Sequence, residues 1–430
     1  MNQQDLTKKT RDELITLCKE KNINGYSGKK KSELIILIET KLTSAQDPSP
    51  IVAAPEKIYR LNYIGSKFQL LDWITTNMKE KTGWVSFENK TIGDLFAGTG
   101  IVSYYFRKSN ANIISNDAEL YSSIITHAFT RSIYTPKCKK YIEEFQTDMQ
   151  ENKHTTTIGF VTSKYSPHGS EERKFFTIEN AKRIDYIREK LESVKYDLSD
   201  DEYKFILASI ILSADAVSNV PAVYGCFLKN FKTKATKNLV LLPVHNNTLP
   251  AIADSQTYNS DILHLCTSKT AVLSDTCNSY RALETCESVK TDLFNTFDFD
   301  LVYLDPPYNE RQYSKNYFPL NIIAKTPESL LTESPLKGKT GIPTDCFISP
   351  FCKKGDVSEN AFELLFRELK TKWLFLSYNS ESIVSKDRML EIMKKYGVAT
   401  VIERDYKRFK SFEYNNDVEI KEYLFCLHKN

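Results

Sequence analysis

Eight residues, Leu301-Val302-Tyr303-Leu304-Asp305-Pro306-Pro307-Tyr308, constrain the fold more than any other stretch of the chain. Four apolar or aromatic residues with strand character run directly into an acid, two prolines and a tyrosine. Proline removes a backbone donor and fixes φ, so a buried strand stops there and presents its last side chains on a rigid turn. An α/β sheet builds its sites at that carboxyl edge. Each proline also restricts the residue before it. Asp305 and the Pro306 carbonyl are therefore expected as acceptors beside the flat face of Tyr308, with Pro307 completing the turn. An acceptor pair next to a ring suits an amino group on a planar heterocycle. Taken alone, the stretch is equally a strand followed by a Pro-Pro turn, and the upstream residues decide between the two.

The chain has room for such a sheet. Its 430 residues, 41% hydrophobic and 12% aromatic, can bury a large core and predict two or three domains. None of the nine cysteines forms a Cys-x-x-Cys pair, and no two histidines have a helical metal-ligand spacing. Reduced thiols and no bound metal are the expectation. The opening MNQQDLTKKT lacks an apolar signal core, and no apolar run reaches the roughly 18 residues of a membrane span. These features predict no membrane partner and a cytoplasmic protein, or one in the nucleus of a host cell. A net charge of +3 is too small to imply a polyanionic partner by itself.

Residues 1–43 are predicted to form a separate small module. Leu14, Ile15 and Leu17, then Leu34, Ile35, Ile38 and Leu42, recur at helical spacing on either side of Gly25-Tyr26-Ser27-Gly28. Lys29, Lys30 and Lys31 stand at the start of the second helix, where cations oppose the helix dipole and so need another reason to be there. The segment resembles a SAP motif, a small helical DNA-binding module. The resemblance implies that these lysines meet phosphates, against a solvated face or a protein-docking hairpin. Residues 44–57, rich in Pro, Ser and Ala, are predicted to be an extended linker. The second domain then opens with a turn, Tyr63-Ile64-Gly65-Ser66-Lys67, ahead of an amphipathic helix carrying Leu70, Leu71 and Ile74.

Residues 91–119 read as strand, tight loop, helix and strand. Thr91 to Phe96 lead into Ala97-Gly98-Thr99-Gly100, Ile101 to Arg107 follow as a helix, and a second strand ends at Asn116-Asp117. Such a unit binds a nucleoside: paired glycines let backbone approach the ligand, and an acid after the second strand accepts from ribose hydroxyls. Ser103 stands where a dinucleotide fingerprint has its third glycine, which argues against a pyrophosphate-bearing cofactor. Asp94 and Phe96 head the loop and make DLFAGTG more specific than its glycines.

Taken with YIGSK, the ND pair and DPPYNERQYSKNYFPLNIIA, this loop resembles the Dam-like family of DNA adenine methyltransferases from about Tyr59 onward. The resemblance implies an α/β fold: a Rossmann-like methyltransferase sheet over 58–127 and 289–430, with a largely helical target-recognition insert over 128–288 and the small N-terminal helical hairpin. It implies S-adenosylmethionine as cofactor, with Tyr63, Lys67, Asp94, Phe96, Ala97, Gly98 and Gly100 at its methionine end, Asp117 at the ribose and Asp292 near the adenine. It also implies double-stranded DNA as partner, a monomeric enzyme and a cognate restriction endonuclease beside it.

Within the insert, residues 201–217 are predicted to form a helix. The stretch after it interleaves Tyr224, Phe227 and Phe231 with Lys229, Lys232, Lys234 and Lys237, a pattern for phosphate contact and base stacking. Arg173 and Lys174 are a second candidate. After the catalytic turn, Asn309, Arg311, Gln312, Tyr313 and Tyr317 enrich the rim, Ser377-Tyr378-Asn379 borders the pocket, and Arg404, Lys407, Arg408 and Lys410 make a basic cluster. The expected reaction flips adenine out of the duplex, stacks it on Tyr308, and holds its amino group with Asp305 and Pro306 for an in-line methyl transfer that needs no metal. Methylation of the cytosine amino group, an RNA adenine substrate, and a non-catalytic DNA-binding scaffold remain the alternatives at this level.

Overall fold

The computed structural model describes residues 9–20, 26, 28–35, 38, 58–246, 255–267, 297–407 and 419–430. Asp292, the linker at 44–57, Arg408 and Lys410 lie outside the described residues. The chain divides into two compact units, Met1–Glu56 and Lys57–Asn430.

In the first unit, helix α1 (Arg11–Glu20) opens with a capping box. Thr10 N donates to Glu13 Oε2 at 2.6 Å and Glu13 N to Thr10 Oγ1 at 3.4 Å. Residues 31–35 are helical and start with a related device, Lys30 N donating to Glu33 Oε2 at 2.7 Å. Leu14, Cys18, Leu34 and Ile38 form a fully buried four-residue core. Lys30 and Lys31 are exposed, whereas Lys29 is half-buried and its carbonyl accepts from Arg11 Nε at 3.0 Å.

The second unit begins with a single 3-10 turn, Lys67–Leu70, running into α2 (Leu71–Thr82). There follow β1 (Thr91–Asp94), α3 (Ile101–Lys108), β2 (Asn112–Asp117) and α4 (Leu120–Thr130). A helical stretch then comprises α5 (Pro136–Gln150), α6 (Phe160–Tyr165), α7 (Ile178–Val194) and α8 (Asp200–Ala216). Its long helices carry explicit start signals. Thr135 caps α5 with Pro136 as its first residue, Thr177 caps α7, and Ser199 with Glu202 forms a capping box on α8. Every residue of α8 from Phe205 to Asp215 is buried, which explains why its sequence is apolar all round.

The chain returns through β3 (Gln256–Asn259), α9 (Ile262–Thr267) and β4 (Phe299–Leu304), and continues with α10 (Tyr313–Ala324). A two-residue-per-strand hairpin, β5 (Leu336–Lys337) and β6 (Ile342–Pro343), comes next. The last elements are α11 (Asp356–Glu368), β7 (Thr371–Asn379), α12 (Lys386–Lys394), β8 (Gly397–Lys407) and β9 (Glu419–Lys429).

Seven strands form one sheet in the order β3-β2-β1-β4-β7-β9-β8. The pairs from β3 through β7 are parallel, while β9 is antiparallel to both β7 and β8. The edge strand β3 lies within 128–288, so the sheet extends into the range read as the insert; its four residues, QTYN, are too short and too polar to announce a strand. Between β1 and β4 the strand order reverses direction. Register there sets Ile92 beside Leu301 and Asp94 beside Tyr303, so the two loops that follow leave the sheet side by side. Open α/β sheets bind ligands at this switch point.

Arg173, read from sequence as a candidate for phosphate or base contact, is buried. Its guanidinium donates to the carbonyls of Lys164 at 3.1 Å, Lys339 at 3.0 Å and Gly338 at 3.4 Å, clasping the β5–β6 hairpin to the body of the unit.

Candidate active site

A cleft of about 1250 Å³ opens at the carboxyl ends of β1 and β4. The turn before α2, the glycine loop, the end of β2, the Asp305 turn and residues of β8 and β9 all line it.

The glycine loop follows from its sequence. Gly98 and Gly100 sit at φ +55° and +70°, which residues with a side chain rarely adopt. A Cβ on Gly98 would come 3.3 Å from the Tyr63 ring, and one on Gly100 would come 2.9 Å from the Thr126 Cα. Asp117, at the end of β2, shapes the loop: its Oδ2 accepts from Gly98 N at 2.7 Å and its Oδ1 from Glu119 N at 2.8 Å. Each of these oxygens keeps lone-pair capacity for a further donor. Tyr63 is held against the loop by stacking on Tyr317, with ring centroids 4.7 Å apart. The Tyr317 hydroxyl in turn accepts from Ile64 N at 3.0 Å.

Asp94 is 1% exposed at the foot of this cradle. Ser103, the residue in place of a third glycine, donates to its Oδ2 at 2.6 Å, while its Oδ1 has no hydrogen-bond partner among the described residues. Burial raises the carboxyl to about 7 against the pull of the Ser103 hydrogen bond, with Asp305 and Asp117 adding like charge. Glu119, buried nearby, is raised to about 8 for the same reason, and the side-chain amide of Asn321 donates to its Oε2 at 2.6 Å. An orphaned buried acceptor beside a glycine cradle fits a ligand that brings a cationic group and a planar nucleoside.

The Asp305 turn faces the cradle. Lys67, 4% exposed, ion-pairs with Asp305 Oδ1 at 3.0 Å and donates to the Gly65 carbonyl at 2.7 Å. The Tyr308 hydroxyl donates to the same Oδ1 at 2.7 Å. Oδ2 of Asp305 has no hydrogen-bond partner among the described residues. Burial raises the Asp305 carboxyl above its ordinary range, opposed by the Lys67 charge and the Tyr308 hydroxyl. Tyr308 is fixed edge-on against Tyr378, centroids 5.1 Å apart, and its carbonyl accepts from Ile383 N at 3.0 Å. The Ser-Tyr-Asn segment thus serves the pocket twice, Tyr378 as buttress and Asn379 as lining.

Of the residues read from sequence, Tyr63, Lys67, Asp94, Phe96, Ala97, Gly98, Asp117, Asp305, Pro306, Pro307, Tyr308, Asn309, Arg311 and Tyr313 all line the cleft. Gly100 lies behind the loop, where its φ and the close approach of α4 require glycine. Among the insert lysines, Lys234 reaches the cleft wall and Lys229 is exposed, but the Lys232 ammonium donates to the Val220 carbonyl and so serves the loop's own shape. Two of the three interleaved aromatics are not free to stack on bases, whereas Phe231 is half-buried. Tyr224 is 1% exposed and donates to Asp215 Oδ1 at 2.8 Å, and Phe227 packs on the main core. Sequence reasoning missed Glu119, Asp215, Tyr406 and Glu422, all of which line the cleft. Only Glu119, in the NDAE run, had a nearby motif to signal it. One cluster outside the cleft, His127 with Asp200 and Asp201, has metal-ligand proximity, but His127 Nε2 is already 2.6 Å from Asp201, and Arg131 and Lys204 pair with the two acids.

Comparison with known proteins decides what the cleft belongs to. The sequence model of the D12 class of N6 adenine-specific DNA methyltransferases matches residues 63–275 and 274–392. The chain belongs to this class. It is an adenine-specific DNA methyltransferase, and its relatives include proteins named type II methyltransferases. It is 36% identical over 373 residues to the type II methyltransferase M.CviAII of Paramecium bursaria Chlorella virus 1, covering 86% of this chain and 98% of that protein. Over 360 residues it is 33% identical to M.NlaIII of Neisseria lactamica, covering 83% and 94%. M.FokI of Planomicrobium okeanokoites is 30% identical over 386 residues, which is 86% of this chain but 53% of that protein. The match to the D12 methyltransferases runs from Tyr63 through the glycine loop and the Asp305 turn to residue 392, short of the cleft residues on β8 and β9. Among the described residues no helix is long and apolar enough to cross a membrane.

Proposed function

We propose that this D12 methyltransferase transfers a methyl group from S-adenosylmethionine to the amino nitrogen of an adenine flipped out of duplex DNA. The observation that carries the reading is the open Oδ2 of Asp305, set beside Tyr308 and Pro306 across the cleft from the glycine cradle.

S-adenosylmethionine supplies an electrophilic methyl group on a positively charged sulfur. Tyr63, Lys67, Asp94, Phe96, Ala97, Gly98 and Gly100 hold its methionine end, with the unpartnered Asp94 Oδ1 suited to the ammonium group. Asp117 takes the ribose hydroxyls with its remaining lone pairs. Flipping the target base costs a few kcal/mol of stacking and pairing, which Tyr308 offsets by stacking on the extruded ring. Asp305 Oδ2 and the Pro306 carbonyl accept from the amino group, keep its lone pair out of conjugation and aim it along the line of displacement. Lys67 and the Tyr308 hydroxyl hold Asp305 in place meanwhile. Positioning contributes most of the acceleration.

Lys29, Lys30 and Lys31 of the SAP-like module, Lys229, Lys234, Asn309, Arg311 and Tyr313 supply phosphate and rim contacts to the duplex. The enzyme acts as a monomer alongside a cognate restriction endonuclease. Expression in cells lacking adenine methylation, followed by sequencing that detects methyladenine and methylcytosine separately, tests the reading. Methyladenine at one short motif is expected; methylcytosine alone, or no mark, overturns it.

A further inference from the structure

The reaction leaves one proton to be disposed of, and the cleft contains an unassigned carboxylate close to where it is released. Glu422 lies on β9, opposite Asn379 of β7 and Arg404 of β8. It is 6% exposed and lines the cleft with Lys67, Asp305 and Tyr308. Its backbone is paired in both ladders, while its carboxylate makes no hydrogen bond and no ion pair among the described residues. A largely buried carboxylate whose oxygens face the cleft without a protein partner is open to exchange a proton with what the cleft holds.

We propose that Glu422 is the terminal acceptor, acting through Lys67, of the proton released when the adenine amino group is methylated. The inference rests on the methyltransferase reading above. The amino nitrogen forms its bond to the methyl carbon while the carbon–sulfur bonding pair leaves with sulfur, and the nitrogen is left with one proton too many. That proton passes to the Asp305 carboxylate. Lys67 and Glu422 are not in direct contact, so the Lys67 ammonium gives a proton to Glu422 by way of one water in the cleft and takes the one on Asp305. Asp305 is again a carboxylate, Lys67 again an ammonium, and Glu422 is neutral until it returns the proton to water between turnovers.

The surroundings support this order. Burial raises Glu422 to about 6, so it takes a proton more readily than an ordinary carboxylate and still releases it at neutral pH. From the turn before α2, Lys67 stabilises the Glu422 charge; from beyond β4, Asp305 opposes it. Tyr303 and Tyr308 feel the Glu422 charge from β4 and its following turn. From β8, Tyr406 feels it too, and Arg404 stands directly across the strand pair.

The test is single-turnover methylation by the full chain at saturating S-adenosylmethionine, using DNA from cells without adenine methylation, between pH 5 and 8.5. The wild-type rate is expected to fall as pH drops through about 6. Glu422→Gln is expected to lower the plateau at least tenfold and to lose that acidic limb. In the free protein, infrared spectroscopy is expected to show a protonated-carboxyl band titrating near 6 that is absent in Glu422→Gln and moves upward in Lys67→Met. Should the glutamine variant fail to fold, Glu422→Asp decides: the limb must persist with a displaced midpoint, and an unmoved limb overturns the proposal. A Glu422→Gln enzyme with wild-type rate and limb, or one whose only defect is weaker cofactor binding, also overturns it. A wild-type chain that methylates no DNA overturns the parent reading and this one with it.

Discussion

Two acids at the centre of the cleft do different work because their surroundings differ. Asp305 is held by Lys67 and Tyr308 on one oxygen and open on the other, the arrangement that the proposed reading needs for accepting from the substrate. Asp305→Ala is expected to lower the methylation rate about a thousandfold or more, with cofactor affinity nearly unchanged in calorimetry. Loss of cofactor binding as the main defect would contradict the assignment. Asp94 instead sits unpartnered at Oδ1 under the glycine loop, with burial raising it to about 7. A cation bound there requires the carboxylate form, so the proton must leave on binding. Cofactor affinity is therefore expected to fall by up to about tenfold per pH unit as pH drops below 7. Asp94→Asn is expected to bind weakly and without that slope; calorimetry on either side of neutral pH separates the two outcomes. Both acids were legible because they stand in short motifs. Glu422 was not, since a charged residue in an alternating strand looks like any solvent-facing position until the sheet order is known.

The β1–loop–α3–β2 unit was readable as an element because its period, its glycines and its terminal acid agree with one another. Helix α8 was readable as well, an apolar run too long for a strand. The stretch after α8 misled in part, because Tyr224 and Phe227 alternate with lysines but fold inward onto Asp215 and the core. Only long-range packing separates such a loop from a stacking platform. The glycine loop also makes a contrast testable at its own scale. Gly100→Ala sets a Cβ against the backbone of α4 at a left-handed φ, so stability in urea unfolding is expected to fall by about 2 kcal/mol or more. Gly98→Ala meets only the Tyr63 ring at 3.3 Å, so stability is expected to drop by about 1 kcal/mol while cofactor affinity falls more steeply. Equal effects of the two changes on both properties would show that the loop acts as a single rigid piece.

At the scale of the molecule, the first 56 residues form a unit with its own small core. A chain beginning at Lys57 is expected to keep cofactor binding and methylation while binding duplex DNA several-fold more weakly. The slope of its affinity against salt is expected to be shallower by about one unit for each phosphate that the shortened chain no longer neutralises. An unchanged slope would rule out a DNA-binding role for Lys29 to Lys31. The larger unit has a feature that bears on how such an enzyme comes into being. Its last strand, β9, lies between β7 and β8 in the sheet and carries Glu422 to the cleft. On a ribosome, the glycine loop and the Asp305 turn emerge well before β9 does, at about 5–20 residues per second. Until β9 arrives, β7 presents an open edge and the cleft lacks one wall. The order of synthesis thus leaves the marking site incomplete until β9 has emerged, long after its glycine loop and its Asp305 turn.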